Sequence, residues 1–106
     1  MNILKNLLMH PLTKNLAVDD PLTTINRKQL IENKGLLKRI YLEWYSLITN
    51  KIGVDDRVLE LGSGAGFFKK VFPSAITSEV LDLPFVDKRV DARKLPFEDG
   101  ELNAIV

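Results

Sequence analysis

A run of glycines follows a short, mostly apolar stretch near the middle of the chain. Gly62, Gly64 and Gly66 occupy every second position, directly after the segment 58–61. Glycine permits tight turns and lets a ligand approach without a Cβ in the way. Backbone N–H groups at the start of a helix suit an anionic group, and the acid Glu60 in front of the glycines suits a cationic one. The pattern predicts a buried strand followed by a ligand-binding loop.

The spacing of the glycines separates this loop from two common phosphate-binding loops. A dinucleotide fingerprint requires G-x-G-x-x-G, and Phe67 occupies the position of its third glycine. A P-loop requires G-K-[ST], which does not follow these glycines. Residues 67–72 instead have the pattern of a short helix that ends at Pro73.

Acidic side chains come at the ends of the next two predicted strands. Glu79 ends the predicted strand 75–78, and Asp91 follows the predicted strand 86–90. Ligands of open parallel sheets lie outside the carboxyl ends of the strands, so both acids are candidate ligand contacts. Glu79 suits a pair of ribose hydroxyls. Asp82, which lies closer to the usual distance of roughly 20 residues past the first glycine, is the alternative.

These residues together resemble the cofactor-binding motifs of class I S-adenosylmethionine-dependent methyltransferases, in particular the methyltransferase type 11-like enzymes. The run E-x-G-x-G-x-G from Glu60 is similar to the first motif of that family. The run from Asp91 through L-P-F-E-D-G to the apolar segment 102–106 is similar to its later pattern D-A-x-x-L-P-F-x-D. The resemblance extends from about Arg57 to Val106.

The resemblance implies a set of cofactor-binding residues in the loop and at the next strand ends: Glu60, Gly62, Ser63, Gly64, Gly66, Glu79, Asp91 and Ala92. By analogy with the family, the loop lies against the methionine end and Glu60 faces its ammonium group. Glu79 accepts from the ribose, Asp91 accepts from the adenine amino group, and the backbone near Ala92 meets a ring nitrogen. No residue is assigned a catalytic role, and no metal is expected.

The half of the chain before the glycine loop is predicted to be helical. Asp20 and Pro21 form a helix-start signal, and the helix is expected to run to about Asn33. Gly35 leads into a second helix, whose apolar residues recur at helical spacing: Leu36, Leu37, Ile40, Tyr41, Trp44, Leu47, Ile48 and Ile52. A weaker amphipathic turn is expected at the chain start, from Ile3, Leu4, Leu7 and Leu8.

An aromatic cluster lies in the second of these helices. Tyr41, Trp44 and Tyr45 fall within five positions. We expect the cluster to pack the helix onto the sheet, because aromatic residues at helical spacing usually belong to a core. Contact with a substrate is the alternative.

The fold class that follows is α/β, with a Rossmann-like, mostly parallel sheet. Residues 1–56 form a helical lead-in and residues 57–106 a half-domain that binds S-adenosylmethionine, together one compact unit. The resemblance implies strand order 3-2-1-4 for the strands present and truncation after about four of them. The apolar fourth strand would then be an exposed sheet edge, which favours a homodimer through that edge.

Composition excludes several classes of function. The chain has no cysteine and one histidine, His10, so a disulfide framework and a Cys- or His-based metal cluster are not expected. No apolar run is long enough for a membrane span, and no basic stripe with interleaved aromatic residues indicates nucleic-acid binding. Cytoplasmic location is the default expectation.

The leading functional hypothesis is therefore an S-adenosylmethionine-dependent methyltransferase that acts on a small molecule, represented here by its cofactor-binding N-terminal part. A cofactor- or partner-binding module without turnover is the alternative. An NAD-type oxidoreductase is disfavoured, because Phe67 replaces the third glycine.

Overall fold

The computed structural model describes residues 20–106. Its elements follow one another in the order α1 (Pro21–Asn33), α2 (Gly35–Thr49), β1 (Val58–Glu60), α3 (Phe68–Val71), β2 (Ile76–Glu79), β3 (Lys88–Arg89) and β4 (Ala104–Ile105). The turn predicted around Ile3 to Leu8 and the residue His10 lie outside the described residues.

Both long helices begin where the sequence predicts, and α1 ends at Asn33 as expected, whereas α2 ends at Thr49, before Ile52, the last apolar residue of its predicted spacing. The Asp20 side chain accepts a hydrogen bond from the N–H of Leu22 at 2.8 Å, with Pro21 in the first turn. This cap satisfies one of the donors that a helix start leaves without a partner. Lys34 takes an extended backbone conformation between the helices, so α1 and α2 are separated by a single residue.

The sheet has four parallel strands in the order β3-β2-β1-β4. Helices pack against it, so the molecule is α/β and its sheet is consistent with a Rossmann-like fold. Strands β1, β3 and β4 are shorter than predicted, and β3 and β4 each contain two residues, whereas β2 has the predicted four residues but begins one position later. Residues that flank these short strands still bond across the sheet: the N–H of Leu61 donates to the carbonyl of Val106, and the N–H of Val106 donates to the carbonyl of Leu59, each at 2.9 Å.

The two edges of this sheet differ in character. The exposed charged residues Lys88 and Arg89 form β3, which is one edge of the sheet. Strand β4 is the other edge among the described residues, and its Ile105 is half exposed. A homodimer through β4 stays a prediction.

Aromatic and aliphatic side chains from α2, β1 and α3 form the core. Val58 and Leu59 of β1 are completely buried, and Phe68 of α3 stacks on Phe72 with ring centroids 6.0 Å apart. Tyr45 joins this cluster, as predicted for the aromatic residues of α2. The prediction was wrong for Trp44, which stays 54% exposed because it lies on a different side of the helix from Tyr45.

None of the helices in residues 20–106 is long and apolar enough to cross a membrane.

Candidate functional site

Two serines tie the glycine loop to the neighbouring strand. The N–H of Ser63 donates to the carbonyl of Ser78 at 2.8 Å, and the N–H of Ser78 donates to Ser63 Oγ at 3.1 Å. Ser78 Oγ in turn donates to the carbonyl of Glu60 at 2.6 Å. Since Ser78 is completely buried, each of these groups needs a protein partner. The serine pair therefore fixes where the loop leaves the sheet.

Two of the three glycines are required by the backbone itself. Gly62 and Gly64 have φ values of +61° and +53°, a region that residues with a Cβ rarely adopt. Gly64 opens a turn that is closed by a hydrogen bond from the N–H of Gly66 to the carbonyl of Ser63 at 3.0 Å. A Cβ on Gly62 would have no heavy atom within 4 Å, so space beside the loop is open at that point.

Position 66 needs glycine for a different reason. The sequence suggested that this glycine makes room for a ligand, and the structure corrects that interpretation. A Cβ on Gly66 would lie 2.3 Å from the hydroxyl oxygen of Tyr45. That hydroxyl accepts a hydrogen bond from the buried N–H of Phe67 at 2.9 Å. Gly66 is small because a side chain of α2 occupies the space, and the Phe67 amide is not free to face a ligand.

Lys28 of α1 also reaches the loop. Its ammonium donates to the carbonyl of Gly66 at 2.8 Å and lies 4.8 Å from the centre of the Phe85 ring. It also forms an ion pair of 3.7 Å with Glu32, one helical turn further along α1. Lys28 thus brings a positive charge to the face of the loop that packs against the helices.

Glu60 is a buried carboxylate at the end of β1. It is 8% exposed, and the Ser63 hydroxyl hydrogen-bonds its side chain. Burial raises the pKa of Glu60, while the Ser63 hydrogen bond and the nearby Lys28 charge oppose that rise. Among residues 20–106, no cationic side chain lies within ion-pair distance of Glu60. The carboxylate is therefore suited to a cationic partner.

The carboxylate of Glu79 lies directly beside the glycine loop. Its Oε2 accepts a hydrogen bond from the N–H of Gly64 at 3.0 Å, and its Oε1 accepts from the N–H of Val80 at 2.9 Å. The rival acid Asp82 is exposed, three residues beyond the end of the strand. Of the two acids that the sequence left open, the geometry brings Glu79 to the loop.

Asp91 is carried close to Glu79 by the pairing of β2 with β3. The N–H of Val90 donates to the carbonyl of Glu79 at 2.9 Å, and Asp91 is the next residue. The Asp91 carboxylate accepts three hydrogen bonds from the Arg93 guanidinium, two from Nε at 3.0 and 3.2 Å and one from Nη2 at 2.6 Å. Arg93 lowers the pKa of Asp91, so the carboxylate stays charged. Ala92 is exposed in the turn that follows.

A cleft of about 280 Å³ lies between the loop, α1, α3 and β2. Half of the predicted cofactor residues line it, namely Glu60, Ser63, Gly64 and Gly66. The cleft also has three cationic side chains in its wall: Lys28, Lys69 and Lys70. Gly62, Glu79, Asp91 and Ala92 are not part of this wall and lie around the strand ends instead. The predicted residues thus surround the loop on two sides.

Three residues near the site were not predicted from the sequence, namely Lys28, Tyr45 as a partner of the loop backbone, and Asp87. Asp87 accepts hydrogen bonds from the N–H and hydroxyl of Thr77 and from Lys69. All three contacts join distant parts of the chain. No spacing in the sequence indicates them, because each depends on how helices and strands dock.

No protein-family model matches this sequence, and no match was found among curated proteins or solved structures. A functional assignment therefore depends on the residues and geometry described above.

The contact between Tyr45 and Gly66 predicts a measurable coupling in stability. Tyr45→Phe leaves the buried N–H of Phe67 without an acceptor and should lower the free energy of unfolding by about 1–3 kcal/mol. Gly66→Ala places a methyl group against the Tyr45 hydroxyl and should cost about 1–3 kcal/mol. In the double variant the clash is gone, so its loss should be smaller than the sum of the two single losses.

Urea unfolding followed by circular dichroism measures these values, with Tyr41→Phe as the control because the Tyr41 hydroxyl forms no hydrogen bond in the described structure. Additive losses in the double variant would show that Tyr45 does not occupy the space beside Gly66.

The two shifted carboxyl groups, Glu60 and Asp87, predict opposite effects of pH. The pKa of Glu60 is raised above its ordinary 4.5, so its favourable contribution is complete below pH 4.5 and is lost as the pH rises through the folded value. Glu60→Gln should therefore stabilise the protein at pH 7. This gain should shrink as the pH falls toward 4.5.

Asp87 has a pKa lowered from 3.8, chiefly by Lys69, so its contribution is present above that pH and is lost on further acidification. Asp87→Asn should destabilise the protein at pH 7. Urea midpoints between about pH 2.5 and pH 8 test both variants, because the contribution of Asp87 is lost only below its ordinary pKa of 3.8. A Glu60→Gln variant that is less stable than the parent at every pH would contradict this account of the buried carboxylate.

Proposed function

We propose that this chain binds S-adenosylmethionine and belongs to a methyltransferase that acts on a small molecule. One observation carries the proposal. Glu60, the glycine turn, Glu79 and Asp91 gather at the carboxyl ends of β1, β2 and β3 in one parallel sheet. That edge is where open α/β sheets bind their ligands.

The loop fits the amino-acid end of the cofactor. Glu60 is a buried carboxylate that has no cationic partner among the described residues, which suits an ammonium group. The backbone at Gly62 has open space where a side chain would be, so a ligand can approach the chain closely there. The Gly62 and Ala65 N–H groups, unlike those of Ser63, Gly64 and Gly66, have no acceptor in the described structure. They are the loop amides that remain for a carboxylate.

The two later acids fit the nucleoside end. Glu79 has two carboxylate oxygens, each of which accepts one hydrogen bond in this structure and retains a lone pair for a ribose hydroxyl. Asp91 follows β3 directly and remains ionised beside Arg93, so it can accept from an exocyclic amine. Ala92 exposes the adjoining backbone at this corner.

S-adenosylmethionine supplies a methyl group that is already activated on a sulfonium ion. The work left to the chain is to hold and orient that group, and to exclude water from it. Glu60, Gly62, Ser63, Gly64 and the two later acids perform only this binding role in the proposal.

The hydrogen bonds of the loop argue against a dinucleotide cofactor. A pyrophosphate would need free N–H groups at the start of the helix that follows the glycines. The N–H of Phe67 is already bound to Tyr45, and the N–H of Gly66 is bound to Ser63. Both donors would have to break an internal contact first.

Calorimetry with S-adenosylhomocysteine and with NAD tests the cofactor. We expect the first to bind and the second not to bind. Glu79→Gln should weaken binding of S-adenosylhomocysteine by about 10- to 100-fold, because a charged acceptor of the ribose hydroxyls is lost. Asp82→Asn is the matched control and should leave the affinity unchanged. Equal effects of the two variants would contradict the role of Glu79.

A methyl-transfer assay with radiolabelled S-adenosylmethionine and a panel of small-molecule acceptors separates the enzyme from a binding module. Transfer to any acceptor supports the enzyme. Affinity for the cofactor without transfer favours the alternative, a module that binds the cofactor or a partner protein.

A further inference from the structure

Helix α2 carries a second apolar face beside the one that packs into the core. Leu36, Trp44 and Leu47 are 72%, 54% and 67% exposed, and Ile40 lies between them on the same side. At the angular spacing of an α-helix, these four side chains fall within an arc of about 80°. We call them the outer stripe.

The outer stripe is separate from the core-facing side of α2. The residues that pack into the core are Leu37, Tyr41, Tyr45 and Ile48, which lie on the adjacent side of the helix. A helix at the surface of a monomer normally has one apolar stripe and a polar opposite face. A contiguous second stripe of large exposed side chains is the kind of surface that marks a protein contact.

The arrangement of the outer stripe is nearly the same when it is read in reverse. Its residues lie at intervals of four, four and three. The midpoint between Leu36 and Leu47 falls between positions 41 and 42, and the midpoint between Ile40 and Trp44 falls at position 42. We propose that the outer stripe binds a second copy of this chain, with the two α2 helices antiparallel about a two-fold axis near position 42. Leu36 then packs on the partner subunit's Leu47, and Ile40 on the partner subunit's Trp44.

Charge complementarity selects the antiparallel orientation. Arg39 and Glu43 border the outer stripe on the side away from the core, and their midpoint is position 41. In an antiparallel pair with two-fold symmetry, the flank of one helix that carries Arg39 and Glu43 lies next to the same flank of the other helix. Arg39 therefore faces the partner subunit's Glu43. In a parallel pair, this charged flank of one helix would instead lie next to the core-facing side of the other helix. The charges and the apolar residues thus agree on one axis to within about one residue.

The size of the surface predicts a weak dimer. Helix α2 has 15 residues and is about 22 Å long, and four side chains from each copy make the apolar contact. Stable interfaces bury about 1,200–2,000 Å², and a contact made by one short helix from each copy is small beside that range. A monomer–dimer equilibrium should therefore be visible between about 1 and 100 μM protein.

Sedimentation velocity of the 106-residue chain over that concentration range tests the surface. Leu47→Glu should abolish the dimer. Leu42→Glu is the matched control, because Leu42 is also exposed on α2 but lies outside the outer stripe, and it should leave the equilibrium unchanged. Circular dichroism spectra verify that each variant is folded.

Exchange of the flanking charges tests the orientation. Arg39→Glu and Glu43→Arg should each raise the dimer dissociation constant by about tenfold, because like charges meet at two symmetric places. The double variant Arg39→Glu/Glu43→Arg should restore the parent value. Additive weakening in the double variant would overturn the antiparallel pairing.

Because the chain contains no cysteine, single cysteines give a clean cross-linking test. An equimolar mixture of tagged Leu36→Cys and untagged Leu47→Cys should oxidise mainly to the mixed disulfide. Disulfides formed mainly within each variant would indicate a parallel pair.

Two further outcomes would overturn the proposal. One is a chain that stays monomeric at about 100 μM, above the range expected for a contact of this size. The other is a dimer that is lost in Ile105→Glu, at the β4 edge, and is unaffected by Leu47→Glu, which would place the interface at the sheet edge instead.

Discussion

The hydroxyl of Tyr45 holds the helical half of the chain to the glycine loop. It accepts the hydrogen bond of the Phe67 N–H at 2.9 Å, in a buried position where no water can replace it. The same oxygen fills the space that a side chain at position 66 would need. Because α3 begins immediately after this contact, at Phe68, the direction in which the chain leaves the loop depends on a residue more than twenty positions earlier.

The loop is also held from the sheet, through the reciprocal hydrogen bonds of Ser63 and Ser78. With Tyr45 on one side and the serine pair on the other, the backbone between them has little freedom to rearrange. This rigidity suits a binding loop, since a site that is already ordered loses less conformational entropy when a ligand arrives. It also means that most of the loop amides serve the fold, so the charged groups around the loop are central to any recognition of a ligand.

The charges around the site are distributed unevenly. Glu60 is buried and its pKa is raised by that burial, whereas Asp91 is only partly buried and its pKa is lowered by Arg93. Lys28, Lys69 and Lys70 stand on the helical side of the loop, and Glu79 and Asp91 stand at the strand ends. The acids Glu60, Glu79 and Asp91 offer acceptors to a ligand with a cationic end and a hydroxyl-rich end, which is the kind of ligand that the proposed function requires.

Local signals in the sequence predicted where most helices and strands lie. The Asp20–Pro21 start, the separation at Lys34, the apolar run before Gly62 and the acids after the strands all depend on nearest neighbours along the chain, and the structure places each where it was expected. The parallel sheet and its strand order were also predicted, because the family that these motifs resemble has that strand order. Strand ends and the exposed face of α2 were predicted less well, because periodicity alone does not tell which of two apolar faces a sheet will cover.

Only the tertiary structure decided why Gly66 is glycine, which of Glu79 and Asp82 reaches the loop, and that Lys28 lies beside it. Each of these depends on a contact between segments that are separated by 15 to 38 residues. The sequence determined the small residues and the acids, because turn geometry and strand ends are local. The pairing of those groups was decided by packing, because docking angles between helices and a sheet are set by the whole core and by no single stretch of the chain.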